Sequence, residues 1–364
     1  MDTLTALRLS PARAWRTYLG GKLLAELSGS EPAGDSHFPE EWIMSLVPAR
    51  NVGREACKDE GLSLVAGVTP PVSLQSLITA DPTGFLGREH AARFGANTGV
   101  LVKLIDAAER LTVQAHPDRQ TAKALFDSDF GKTECWHILG SRLIDGQPPC
   151  IYLGFKPGVT REQWQDLFRR QYLPEMLACL HRFEVHNGDT FLIEGGIPHA
   201  IGAGCFLVEI QEPTDYTIRV ERTTPSGFQV ADFMCHQGLG FDKMFDCFTY
   251  GGYTREETQK RWHIPSALLR GEPGGRETEI IGYRHTAYFR MTELTVAASL
   301  SLATGEGFSG LYVLSGQGTI HADGTVQSFR KGDQFFLPAK IKTLSIRKNS
   351  AADCRILRCF GPKL

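Results

Sequence analysis

Long apolar runs are missing from this chain of 364 residues: no stretch approaches the roughly 18 consecutive apolar residues that a membrane-spanning helix requires. Net charge is nearly missing too. Lys and Arg number 39 against 41 Asp and Glu, for a net charge of -2, so there is no global basic field to hold nucleic acid or anionic lipid. Nine cysteines are present, but they are scattered, with no C-x-x-C pair and no compact framework, which excludes a disulfide scaffold and suits reduced thiols. The segment from Met1 to Ser10 carries an early Asp2 and lacks the apolar core of a signal peptide. These absences lead us to expect a cytoplasmic protein that is not exported and whose partners are small molecules, with no nucleic acid and no membrane.

What remains is a globular composition, 42% hydrophobic and 22% charged, with enough chain for two or three domains and a sizeable core. In the first hundred residues, short segments are punctuated by Gly and Pro. Residues 28–36 read as a loop, Glu41 to Val47 as a strand, and Val72 to Ala80 as a short helix capped by Ser73. Val100 to Ile105 is a buried strand interrupted by Lys103. An ammonium in an apolar strand must snorkel, pair or face a solvated cavity, so Lys103 is either an edge lysine or an anion contact inside a cleft. Strand alternation over Leu111 to His116 puts Thr112, Gln114 and His116 on one face, and Pro117 ends the strand. His116 taken alone suits a structural role as well as ligation.

A helix over 120–126 leads to a strand over 130–139, where Glu134 shares a face with Trp136 and Ile138 while Cys135 and His137 point the other way. A carboxylate among apolar groups needs a cation, supplied either by a salt bridge or by a metal. Thr160 caps the best helix, residues 161–180, whose aromatic stripe reads as core and whose Pro174 marks a break or restart. The strand from His181 ends in Asn187-Gly188, a hairpin signal, with Thr190 to Glu194 returning. After a Gly195-Gly196 turn, His199 opens a strand directly behind Pro198. Strands 206–211 and 217–221 follow, with Arg219 open to a surface salt bridge with Glu221 or to a role in a site. Residues 235–276 read as a linker. From 277 to 364 short strands recur, and Gly316, Gly318, Gly332-Asp333 and Pro338 repeat the punctuation of the earlier half. His321 is isolated and reads as structural.

Gln114, His116, Glu134 and His199 together make a mixed nitrogen and oxygen donor set with one formal negative charge, which suits zinc or another borderline divalent ion. The cations Lys103, Lys132 and Arg219 nearby suit a substrate that carries oxygens and an anionic group. The residues by themselves support a metal-dependent site for a small anionic substrate.

Taken jointly, Gln114-Ala-His-Pro-Asp118, Gly131-Lys-Thr-Glu-Cys-Trp136, Gly188-Asp-Thr-Phe191, Gly196-Ile-Pro-His-Ala200 and the run from Glu209 to Arg219 resemble type I mannose-6-phosphate isomerases of the cupin superfamily, in order and over most of the chain. The resemblance implies a mainly β fold with inserted helices and two cupin-type β-barrel (jelly-roll) domains. Residues 1–234 would be the catalytic, metal-binding cupin with helical insertions, 235–276 the linker region, and 277–364 a second cupin-like barrel without metal ligands, to which N-terminal strands could pair. It further implies one zinc ion on Gln114, His116, Glu134 and His199, a catalytic Arg219, and Lys103, Lys132 and Asp215 in the substrate site. The implied reaction interconverts mannose 6-phosphate and fructose 6-phosphate through an enediolate. Two positions depart from the family pattern: Ile218 stands where an aromatic is usual, and Ala115 precedes His116 where valine is usual. The rival readings are a metal-containing cupin that binds or senses a sugar phosphate without turning it over, and an iron-dependent cupin oxygenase.

Overall fold

The computed structural model describes residues 5–30, 34–304 and 307–364. It is mainly β, with helices inserted between strands, and its strands form four antiparallel sheets of five, six, seven and four strands. Shared cores put the sheets in layers. The five- and six-stranded sheets meet through a cluster that includes Trp136, Ile138, Ile151, Leu153 and Leu207. The six- and seven-stranded sheets meet through Val102, Leu104, Val208, Met291 and Leu357. The seven- and four-stranded sheets meet through Leu294, Val313, Ile320, Phe335 and Ile346. Two sandwiches therefore lie back to back.

The six-stranded sheet is buried on both sides, and period-two alternation divides its residues. Along Leu101–Asp106, Val102 and Leu104 join the core between the sandwiches, whereas Lys103 and Ile105 point into the first sandwich. Glu134–Ser141 divides in the same way, with Cys135 outward and Trp136 and Ile138 inward. This is the pattern read from the sequence. His137 accordingly faces away from Glu134; it is buried, with its Nδ1 2.8 Å from Thr190 Oγ1.

Several expected elements are reproduced. Ser73 caps Leu74–Ala80 by accepting from Ser76 N. The long helix divides at Gln171 into Arg161–Arg170 and Leu173–Ala178, with Pro174 in the first turn of the second piece, where its missing N–H leaves no bond unmade. The loop over 28–36 is described at both ends, and its residues 31–33 lie outside the described residues.

Three expectations need correction. The strand read over Leu111 to His116 is regular only at Gln114–Ala115, because Val113 N donates to the Glu221 carboxylate rather than to a neighbouring strand. Leu180–Glu184 and Thr190–Ile193 are not a hairpin. The first pairs with Cys150–Phe155 in the five-stranded sheet and the second with Glu134–Ser141 in the six-stranded sheet, so the Asn187-Gly188 turn carries the chain across the sandwich from one sheet to the other. Residues 235–276, read as a linker region, carry packed structure. Met244, Phe245, Cys247 and Phe248 are buried against Trp164, Leu167 and Phe168 on the outer face of the five-stranded sheet, and Ala267–Glu272 is the edge strand of the seven-stranded sheet. At the N-terminus, Leu7–Leu9 pairs with Gln334–Leu337, so the first strand of the chain completes the seven-stranded sheet. Among the described residues, no helix is long and apolar enough to cross a membrane.

Candidate metal centre and substrate cleft

Register brings the polar residues together. In the five-stranded sheet Gln114 pairs directly with His199 on one side and with Arg219 on the other. Directly paired residues project to the same face, which here is the interior of the first sandwich. Across that interior, the six-stranded sheet presents Glu134, with Lys132 two residues before it and Lys103 on a neighbouring strand paired to Glu209. His116 follows its strand, and its Nδ1 lies 2.8 Å from the Tyr216 carbonyl.

The two histidines converge on one carboxylate. His116 Nε2 is 3.1 Å from Glu134 Oε2 and His199 Nε2 is 3.4 Å from Glu134 Oε1, and all three side chains are buried. His116 Nδ1 donates to the Tyr216 carbonyl and His199 Nδ1 to the Ile197 carbonyl, 2.8 Å away. A backbone carbonyl can only accept, so each ring carries its proton on Nδ1 and turns the Nε2 lone pair toward Glu134. Two imidazole lone pairs thus face a carboxylate whose oxygens accept no hydrogen bond. Lys132 Nζ, 2.9 Å from His116 Nε2 and 3.3 Å from Glu134 Oε2, brings one positive charge to this cluster, and such carbonyl-tethered histidines are the usual form of metal ligands. His116, Glu134 and His199 form a buried group able to hold a metal ion, with candidate donor atoms within 4.8 Å of one another. Gln114 stands beside them, with its Nε2 3.3 Å from His199 Nε2.

The neighbouring charges act on this group. Burial lowers the pKa of His116 to about 3, and Lys132 pushes the same way, with its Nζ 2.9 Å from His116 Nε2. Burial also lowers His199. For Glu134, burial would raise the carboxyl, but Lys132 and His116 outweigh it and hold it well below the usual carboxylate range. Both rings are therefore neutral and the carboxylate is ionised at neutral pH, the protonation states a metal requires.

Next to the trio, reached through Gln114 and Lys132, lies a narrow cleft of about 40 Å³. Lys103, Lys132, Asp215, Gln114 and Arg219 all line it, and Gln114 and Lys132 also touch the trio. Arg219 does not pair with Glu221. Its guanidinium donates to the Met234 carbonyl at 2.8 Å, while Glu221 takes a two-pronged contact from Arg110 at 2.6 and 2.7 Å. Lys103 is not an edge lysine. It is buried 3.2 Å from Glu209, and Glu40 and Glu209 hold its ammonium charged against the opposing effect of burial. Asp215 is kept ionised, at about 2, by Arg16, Lys103, Lys132 and Arg219 against burial.

Three charged lining residues were not singled out in the sequence. Arg16 is buried, 2.9 Å from Glu40 and 3.5 Å from Asp215. Glu40 also accepts from Tyr18 and Trp42. Glu209 accepts from Trp136 at 3.0 Å, and burial together with the charge of Glu134 raises its carboxyl. The argument that picked out Glu134, a carboxylate on the inward face of an apolar strand, applies equally to Glu209. For Arg16 the spacing carried no signal, because it lies in an irregular segment.

Two family models match the chain: "Phosphomannose isomerase type I, catalytic domain" over residues 63–133 and "Mannose-6-phosphate isomerase, cupin domain" over residues 279–353. The chain is 28% identical over 270 residues to the probable mannose-6-phosphate isomerase GmuF of Bacillus subtilis, covering 71% of this chain and 76% of that protein. Its fold is that of the mannose 6-phosphate isomerase crystal structure from Bacillus subtilis, at a TM-score of 0.74 and 22% identity over 98% of this chain and 99% of that one. A mannose 6-phosphate isomerase solved with zinc and yttrium bound has the same fold, at a TM-score of 0.72 and 15% identity over 99% of this chain and 100% of the other. The resemblance read from the sequence motifs is borne out, and these relatives and structural neighbours are isomerases.

Proposed function

We propose that this chain is a zinc-dependent aldose–ketose isomerase that interconverts mannose 6-phosphate and fructose 6-phosphate. The observation that carries the reading is the buried trio of His116, Glu134 and His199, its rings tethered at Nδ1 around one carboxylate, beside a cleft lined by cations and carboxylates. Gln114, His116, Glu134 and His199 would hold the ion, and the zinc reported with a protein of the same fold supports its identity. The layered sheets support reading the chain as two cupin-type jelly rolls, the first with the metal and the second without. The nine free cysteines, eight of them buried, suit the reducing cytoplasm.

Interconversion moves a hydrogen from C2 of the open-chain aldose to C1, and another from O2 to O1, by way of an enediolate. A bound divalent ion would polarise the sugar oxygens and lower the energy of the charge that develops on them. The rest falls to side chains. Arg219, beside Gln114 in the sheet, places a fixed positive charge against the oxyanion as it forms, and such preorganised charge acts most strongly where water is excluded. Lys103 and Lys132, each paired with a carboxylate, can donate hydrogen bonds to the sugar oxygens. Asp215 can accept from sugar hydroxyls, and it keeps Arg16 and Arg219 oriented through their opposite charge.

The test is metal analysis of the purified protein combined with a coupled assay using mannose 6-phosphate and fructose 6-phosphate. Stoichiometric zinc and turnover in both directions are expected. Bound metal and tight sugar-phosphate binding without interconversion would sink the isomerase and leave a binding protein, and oxygen consumption with substrate would point to an oxygenase.

A further inference from the structure

Next to the inner cleft lies a second, wider chamber of about 1180 Å³, open solvent included, that no step above uses. The two share Met234 in their walls. Two hydrogen bonds also join them. Arg50 N, on the outer side, donates to Asp215 Oδ2 at 3.4 Å, and Asn51 Oδ1 accepts from Arg16 at 3.4 Å. The outer chamber, here the antechamber, adjoins the inner one along this wall.

Its charge differs from that of the inner cleft. Inside, Arg16, Lys103 and Lys132 each stand within 4.0 Å of a carboxylate, facing Glu40, Glu209 and Glu134 respectively. Their charge is largely neutralised by neighbours fixed in the fold. In the antechamber, which Glu55 also lines, Arg54 is held by Glu60 at 2.8 Å, but Arg50 meets a carboxylate only through its backbone N–H, at Asp215, among the described residues. Its guanidinium stands 5.7 Å from the ring of Tyr216, on the residue whose carbonyl tethers His116. Lys58 lines the same chamber, and the apolar wall opposite is Phe233 and Met234.

We infer that Arg50, assisted by Lys58, binds the phosphate of the substrate in this antechamber and sets the preference for phosphorylated sugars. The inference rests on the isomerase reading. A hexose 6-phosphate in open-chain form separates its reacting carbons from its phosphate by the length of the sugar. With C1 and C2 beside the metal group, the chain runs out past Asp215 and Arg219, and the dianion meets the cation above Tyr216. Guanidinium binds phosphate through paired N–H donors, which is why arginine suits this place better than lysine.

The test compares wild type, Arg50→Ala, Arg50→Lys and a remote surface control, Lys260→Ala, on mannose 6-phosphate and on unphosphorylated mannose. Inorganic phosphate binding to each metal-loaded protein is measured by calorimetry. Arg50→Ala is expected to lower the ratio of kcat/KM for the phosphorylated over the free sugar about 10-fold, through KM, and to weaken phosphate binding by a similar factor, the size of one partly exposed charge-assisted contact. Arg50→Lys should recover part of both, and Lys260→Ala neither. Equal losses on both sugars, or phosphate binding unchanged in Arg50→Ala, would overturn the assignment. Should the wild type turn over neither sugar, the isomerase reading fails by itself, and the phosphate measurement still decides whether Arg50 makes an anion site.

Discussion

Between the five- and six-stranded sheets, Trp136, Ile138 and Leu153 share the interior with His116, Glu134, His199 and Lys103. Between the seven- and four-stranded sheets, the equivalent space is filled by Leu294, Val313, Ile320, Phe335 and Ile346. Polar groups also enter that second interior, several of them with partners: Thr292 donates to Glu277 at 3.0 Å, and Arg358 to Ser309 and to the Ala303 carbonyl. In the first sandwich Glu134 faces two imidazole nitrogens and the Lys132 ammonium without a hydrogen bond to either oxygen. Among the described residues the only trio of candidate metal ligands is in that first sandwich. Buried polar atoms with partners are part of a core, whereas buried polar atoms without them call for a ligand. The two interiors thus separate what the fold needs to stand from what it needs to react.

The sharpest way to break this contrast is to remove a ligand from the first interior. His199→Ala is expected to lose the metal and to lower turnover by more than about 100-fold, beyond the range seen when only an outer partner of a metal ligand is lost. Elemental analysis and the coupled assay on the same preparation check both. A variant that keeps stoichiometric metal would show that His199 is a core histidine after all.

Arg219→Ala separates chemistry from metal binding inside the same sandwich. Metal content should be unchanged and kcat should fall about 10²- to 10³-fold, the usual loss when one preorganised charge or donor is removed from a developing oxyanion. Retained activity would refute the role given to Arg219.

The opposite perturbation belongs in the second interior. Ile320 is buried among Leu, Ile and Phe side chains, and Ile320→Ala should destabilise that sandwich by about 2–5 kcal/mol through lost burial and a residual cavity. Urea unfolding should record the loss, while metal content and kcat below the transition stay at their wild-type values. A fall in kcat that tracked the loss of stability would mean that the two sandwiches do not divide the work.

Much of this contrast was legible in the sequence, because strand alternation alone puts Glu134 with Trp136 and turns His137 away. Gln114, His116 and His199 could be chosen as candidates, but their convergence could not be read, since it depends on Gln114 pairing with His199 across 85 residues of chain. The turn at Asn187-Gly188 was located correctly and its consequence misjudged: turn chemistry fixes a reversal locally, while the sheet each arm joins is set by distant strands. The segment 235–262 read as a link because its buried Phe and Met residues sit on short helices, too brief to show a period, and their partner surface on Arg161–Arg170 lies far away in sequence. Arg16 and Arg50 escaped notice for a related reason, as loops carry no alternation to say which way a side chain points.

The boundary between the sandwiches offers a smaller effect that tests the contrast by pH. His137 points out of the first sandwich toward the second, where Glu293 and Arg355 contribute to its field. Burial lowers its pKa to about 4, with Glu293 opposing and Arg355 assisting. An unfolded chain protonates the same imidazole near 6.5. Between those values the unfolded state binds a proton that the native state refuses, so stability is fully present above pH 6.5 and is lost as pH falls toward 4. The shift of 6.5 to about 4 corresponds to about 3 kcal/mol. In His137→Gln, which can keep a hydrogen bond to Thr190, that component disappears. The stability of wild type relative to the variant should therefore decline by about this amount from pH 7 to pH 4 in urea titrations. Parallel curves would mean that the imidazole meets solvent or gains a charge partner as the pH drops, and that the seam between the sandwiches is looser than its packing implies.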